Sequence, residues 1–205
     1  MKRTTRPAPH KDRSTTADFI PYDEAMTRGR ELLFTERPQF GFLIILGVNT
    51  GLRIGDLLKF THEELQGRMK GDHLSIIEQK TRGRKQSKHR RVTLNDAIIS
   101  SYNALRAELQ RRGKPVTGTI FMSQKNTVYS NAHVNLLLKQ TFPYVGNVSS
   151  HSLRKAFGRR VYENNGKTEH ALVELSDIFN HSSIGLTRRY LGLRDERIAD
   201  IYLNL

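Results

Sequence analysis

The chain has 205 residues, enough for one domain with a buried core, and 37% of them are hydrophobic. Its 34 Lys and Arg against 20 Asp and Glu leave a net charge of +14, which points to a polyanionic partner. No apolar run nears the roughly 20 residues that span a bilayer. The basic N-terminus has no apolar segment behind it to act as a secretory signal, and no cysteine is present, which excludes disulfides, thiolate chemistry and Cys-ligated zinc.

In chain order, residues 1–20 are rich in Pro, Thr and Arg without periodicity and predict a basic, flexible tail. A helical pattern runs from Tyr22 to Glu36 and breaks at Arg37-Pro38. Phe40 to Val48 is apolar all round and too short to span a membrane, so it predicts a buried central helix ending at Asn49-Thr50-Gly51. A short helix follows from Ile54 to Phe60, and Thr61 with Glu64 matches a capping box. Two strands, His73–Gln79 and His89–Leu94, flank a turn-rich basic loop and predict a β-hairpin. Asn95 caps a helix with Ile98, Tyr102, Leu105 and Leu109 on one face, ended by Gly113. A short strand at Thr119–Met122 precedes helices near Ser130–Thr141, Ser150–Asn164, Thr168–Asn180 and Ser183–Leu191. In the last stretch, residues 194–205, Ile198, Ile201, Tyr202 and Leu205 form one apolar stripe on a terminal helix. The fold class is α+β, mostly helical, with a small antiparallel sheet on one edge.

The charge is concentrated. Residues 1–14 carry five basic side chains and one acid, and residues 80–91 carry seven basic side chains and no acid. Two such segments on an otherwise near-neutral body suit contacts to a phosphate backbone. Motifs for other chemistries are missing: no H-x-x-x-H or H-E-x-x-H, no Walker-type loop, no G-x-G-x-x-G and no G-x-S-x-G.

Three segments stand out as a set. The first is Thr50-Gly51-Leu52-Arg53-Ile54-Gly55-Asp56, with an Arg in a turn between helices. The second is His151-Ser152-Leu153-Arg154, whose H-x-x-R spacing puts both side chains on one helix face. The third is Asn180-His181-Ser182-Ser183, with Thr187-Arg188-Arg189-Tyr190 placing a tyrosine nine residues after the histidine. Alone, each has an ordinary reading: an ion pair of Arg53 with Asp56, a chance spacing, a core tyrosine.

Together, TGLRIGDL, HSLRK and FNHSSIGLTRRY resemble the three boxes of the tyrosine recombinase (phage integrase) family, in order and spacing, over roughly residues 21–191. The resemblance implies a catalytic domain in which Arg53 and Arg154 clamp the non-bridging oxygens of a phosphodiester. Guanidinium suits this task, being permanently charged and able to hold two oxygens. It further implies that His181 donates to the same phosphate and that Tyr190 is the nucleophile of a 3′-phosphotyrosyl link. His151 would assist proton transfer at the tyrosine, and Lys80, at the end of the first hairpin strand, would protonate the departing 5′ oxygen. Lys85 and Lys88 are the alternatives for that lysine. Tyr22, Tyr102, Tyr129, Tyr144, Tyr162 and Tyr202 lack the upstream histidine.

Because the covalent link conserves the phosphodiester energy, neither ATP nor a metal is expected, and no cofactor. The expected partner is double-stranded DNA, with backbone contacts from the tail and from Arg82, Arg84, Lys85, Lys88, Arg90 and Arg91 in the hairpin. A homo-oligomer on DNA (a tetramer of synapsed dimers), accessory DNA-bending proteins and a bacterial cytoplasmic, nucleoid-associated location are expected as well. The sequence departs from the family pattern at Asp56 for Glu, Lys155 for the second His, and Asn180 for Gly. With only some twenty residues ahead of the catalytic domain there is no room for the usual core-binding domain, so the chain resembles the short recombinases that invert fimbrial promoters. Residues 192–205 are the candidate for docking between subunits. The rival readings are a type IB topoisomerase and an idle DNA-binding regulator on the same fold. An idle protein would have no need of all six catalytic residues.

Overall fold

The structure, a computed structural model, describes residues 16–35, 37–77, 89–123 and 125–205. Its elements in order are α1 (Tyr22–Leu33), α2 (Pro38–Thr50), α3 (Ile54–Leu57), α4 (His62–Leu65), β1 (His73–Ile77), β2 (His89–Thr93), α5 (Asp96–Arg111), α6 (Asn131–Thr141), α7 (Ser150–Asn164), α8 (Glu169–Phe179), α9 (Ile184–Leu191) and α10 (Leu193–Leu203). No described helix is long and apolar enough to cross a membrane.

Helix α2 is the axis of the core. Pro38 pre-sets its first turn, and Phe40 through Leu46 and Val48 are fully buried. Helices α1, α5 and α7 pack around it. The α5 face is the expected one, with Ile98, Tyr102, Leu105 and Leu109 all buried and Asn95 accepting from the Ile98 amide at 2.9 Å. The predicted capping box is present, Glu64 taking the Thr61 amide at 2.9 Å. A second, smaller cluster of Leu172, Leu175, Phe179 and Leu191 lies under α7, α8 and α9. Strands β1 and β2 pair antiparallel from His73↔Thr93 to Ile77↔His89 and turn Leu74 and Val92 into the core.

The structure differs from the sequence-based expectation at several points, among them the helix expected over Ile54–Phe60, which ends at Leu57. Helix α1 stops at Leu33, where the Phe34 and Thr35 amides turn to the Glu31 and Leu32 carbonyls three residues back. The run Thr119–Met122 is no strand: it makes isolated bridges, Thr61↔Thr119 and Met122↔Val128, to two different partners. Residues 16–20, placed in the tail by the sequence reading, are held against the body of the fold. Ile20 is fully buried, and Asp18 and Asn147 exchange hydrogen bonds, amide to carbonyl at 2.9 Å and amide to carboxylate at 2.8 Å.

Candidate active site

The site is built where α2 ends. Gly51 caps that helix with φ +59°, and a Cβ there would lie 2.4 Å from the Phe157 ring, so only glycine makes the turn. The turn delivers Arg53 as N-cap of α3, beside a cleft of about 670 Å³ lined by Arg53, Asp56, Asn131, Ser150, His151 and Arg154. Asp56 is buried, with Oδ1 3.7 Å from Lys59 Nζ.

Helix α7 begins with Ser149 as N-cap, whose hydroxyl accepts from His151 N–H while Ser152 takes the Ser149 amide at 3.1 Å. Capping therefore sets His151 and Arg154 one turn apart at the start of the helix. His151 is exposed on the cleft rim and Arg154 is buried. Arg154 donates to the Gly51 carbonyl at 2.6 Å and to the Phe179 carbonyl at 3.0 Å, and its guanidinium carbon sits 4.3 Å above the Phe179 ring.

Asn180 ends α8 in the left-handed conformation, φ +52°. This accounts for the departure from glycine there, since asparagine tolerates that region better than other residues with a Cβ. The reversal brings His181 back over Phe179, ring centroids 5.4 Å apart, and His181 Nδ1 lies 2.9 Å from the Thr187 hydroxyl. Helix α9 then carries Tyr190 into the same cluster. Its ring meets Phe179, His181 and His151 edge-on at centroid distances of 5.6, 5.2 and 6.4 Å, and the Lys155 ammonium lies 5.4 Å from its centre.

The Tyr190 hydroxyl oxygen is buried, with the Arg154 guanidinium as its polar neighbour. Burial pushes its pKa up to about 12, while the nearby positive charges of Arg154 and Arg53 pull the other way. The phenol therefore stays neutral at ordinary pH, within the field of two guanidinium groups.

Arg53, His151, Arg154, His181 and Tyr190 therefore come together from four separate stretches of chain. Lys80, Arg82, Arg84, Lys85 and Lys88 lie outside the described residues. Of the two remaining hairpin residues, Arg91 is exposed on β2, whereas Arg90 points inward and donates to the carbonyls of Thr50 and Gly51, bracing the Arg53 turn. Phe179 and Thr187 stand inside the third box, yet nothing in their residue types marks them as working parts. Lys155 shows in the sequence only as a departure from the family pattern, because its position over the tyrosine ring depends on how α7 and α9 cross.

The architecture is that of tyrosine recombinase catalytic domains. It superposes on the XerA recombinase with a TM-score of 0.60 at 20% identity over 97% of this chain and 66% of that one. On the XerH site-specific recombinase in its post-cleavage complex with a palindromic difH substrate, the TM-score is 0.64 at 18% identity over 92% of this chain and 53% of that one. A lambda integrase dimer bound to a COC′ core site gives 0.56 at 18% over 89% and 62%. The chain thus spans between about half and two thirds of these solved proteins. In sequence it is 27% identical over 184 residues to the probable integrase/recombinase YoeC of Bacillus subtilis (strain 168), covering 87% of this chain and 91% of that protein. Residues 39–197 match the Phage integrase family, and the chain belongs to that family.

Proposed function

We propose that the protein is a site-specific recombinase that cleaves and rejoins duplex DNA through a covalent 3′-phosphotyrosyl intermediate on Tyr190. The Tyr190 oxygen attacks the phosphorus, the bond to the 5′ oxygen breaks, and one phosphodiester is exchanged for another with no net energy input. His151 takes the phenolic proton and Lys80 returns one to the 5′ oxygen. Arg53, Arg154 and His181 hold the charge that builds on the non-bridging oxygens. The observation that carries this reading is the enclosed Tyr190 hydroxyl beside Arg154 and Arg53.

Duplex DNA would be held by the basic tail and by the hairpin, Arg91 included, with Arg90 acting from beneath the turn. The terminal helix α10 supports assembly on DNA. Its stripe faces outward, with Ile201 55%, Tyr202 73% and Leu205 97% exposed, as suits docking on a neighbouring copy. Such a protein works on the nucleoid.

The test is covalent capture from randomly nicked genomic fragments of the host, read on denaturing gels. Wild type and Tyr202→Phe should form a protein–DNA adduct and Tyr190→Phe none. An adduct that survives Tyr190→Phe, or none from wild type across the whole pool, would overturn the reading. Relaxation of supercoils without joined-site products would assign the chain to the topoisomerase class instead. Deleting residues 194–205 should reduce the oligomer formed on the captured duplex.

A further inference from the structure

Two neighbouring residues of α7 grip the end of the tyrosine helix. Leu191 is buried against Gly158, where a Cβ would lie 2.7 Å from the leucine methyl. Arg159, the next residue, donates from Nη1 to the Leu191 carbonyl at 2.8 Å. The same guanidinium forks with its other nitrogen onto both carboxylate oxygens of Glu196, at 2.6 and 2.7 Å. Its carbon also lies 4.0 Å from the centre of the Phe19 ring. The arginine side chain is only 12% exposed, and its Nε is buried without a partner. The guanidinium is thus held on the protein side by the Leu191 carbonyl and the Phe19 ring, while Glu196, 52% exposed, meets it from the solvent side.

Its partners come from three places. Leu191 is the last residue of α9, one position after Tyr190. Glu196 lies in the first turn of α10, and between the two helices there is a single residue, Gly192, at φ +78°. Phe19 belongs to the packed segment 16–21 that leads out to the basic tail. One guanidinium therefore spans both sides of a one-residue hinge and stacks on the strap beneath it.

We infer that Arg159 is a positioning residue for strand cleavage: it makes the placement of the Tyr190 hydroxyl depend on where the C-terminal helix lies. The inference rests on Tyr190 being the nucleophile. When α10 lies as described, Glu196 fixes the guanidinium, the guanidinium fixes the Leu191 carbonyl, and α9 ends in one position. When α10 swings away about Gly192, Arg159 loses its carboxylate partner and the end of α9 loses a restraint. Neither Arg159 nor Glu196 belongs to any of the three boxes, so no motif in the sequence points to the pair.

The experiment uses the full chain and the duplex captured by wild type, with two readouts. The first is hydrogen exchange of the protein without DNA, which does not depend on any cleavage. Glu196→Gln and Arg159→Lys should each raise exchange at residues 190–203 and leave α2 unchanged. The second is the single-turnover rate of adduct formation at saturating protein. Arg159→Ala should slow it about tenfold with DNA affinity unchanged, well inside the loss that a displacement of order 1 Å produces. Glu196→Gln, which keeps the shape but not the charge, should slow it about threefold, and the double variant should be no slower than Arg159→Ala alone. Unchanged exchange in both variants, independent multiplication of the two effects, or a parallel loss of DNA affinity would overturn the inference. A wild-type chain that forms no adduct would sink the nucleophile reading instead, and the exchange result would still stand for the hinge.

Discussion

Arg154 reaches the Gly51 carbonyl at 2.6 Å, so the second sequence box is tied directly to the first through the backbone of the turn that carries Arg53. The two guanidinium groups of the site are thus not independent. Arg90 donates to the same carbonyl from the hairpin side at 3.3 Å, which makes Gly51 the point where three segments meet.

Gly51→Ala should therefore damage both fold and site. The substitution adds a Cβ at φ +59° and drives it into the Phe157 ring. It should cost at least about 2 kcal/mol of stability, from strain and overpacking together. The midpoint of urea unfolding measures this, and an unchanged midpoint would show that the turn can relax.

Tyr190→Phe should abolish covalent adduct yet leave the protein at least as stable as wild type. It removes a buried hydroxyl whose desolvation outweighs its contact with Arg154, the balance that raises its pKa. The difference should grow in alkali. In the unfolded chain the phenol ionises near 10, but in the fold near 12, so its contribution to stability is complete below pH 10 and is lost as pH rises through 12. Between pH 7 and pH 11 the phenylalanine variant should gain about 1 kcal/mol more on wild type. Denaturant melts of both proteins at the two pH values decide this.

At Asn180 the prediction separates two substitutions. The left-handed conformation penalises a Cβ that has no amide beyond it by about 1–2 kcal/mol. Asn180→Ala should therefore lower the melting temperature more than Asn180→Gly does. Equal losses would mean that the side chain, not the backbone conformation, is what matters there.

For DNA binding, Arg82→Ala, Arg84→Ala, Lys85→Ala and Lys88→Ala combined should flatten the salt dependence of affinity. Each phosphate that is no longer neutralised should reduce the slope by about 0.9 log units per log unit of salt. Binding isotherms across a salt series read the slope directly, and a slope equal to wild type would place the phosphate-binding residues elsewhere.

Most of the helices were legible because their signals are local: Pro38 at a first turn, Asn95 and Thr61 as caps, and the stripe from Ile98 to Leu109. The five described candidate site residues stand in the sequence as a pattern of spacings, and the fold brings them together. What could not be read depends on partners distant in sequence. Thr119–Met122 has the composition of a strand, but Ile120 donates to Phe60 and Tyr129 to Phe121, so no ladder forms. Residues 16–20 have the composition of a tail, yet Ile20 finds the core because Asn147 holds the backbone beside it. Arg90 reads as part of a cationic loop, but strand alternation turns it inward, away from its exposed neighbour Arg91.

The enclosure of the Tyr190 hydroxyl has a consequence for the intermediate as well as for the attack. A phenol oxygen covered by protein leaves less room for water to reach a phosphotyrosyl bond formed on it. On the proposed reading, the break in the DNA is then held in escrow, released only to another strand's hydroxyl, and hydrolysis, which would make the cut permanent, is kept slow.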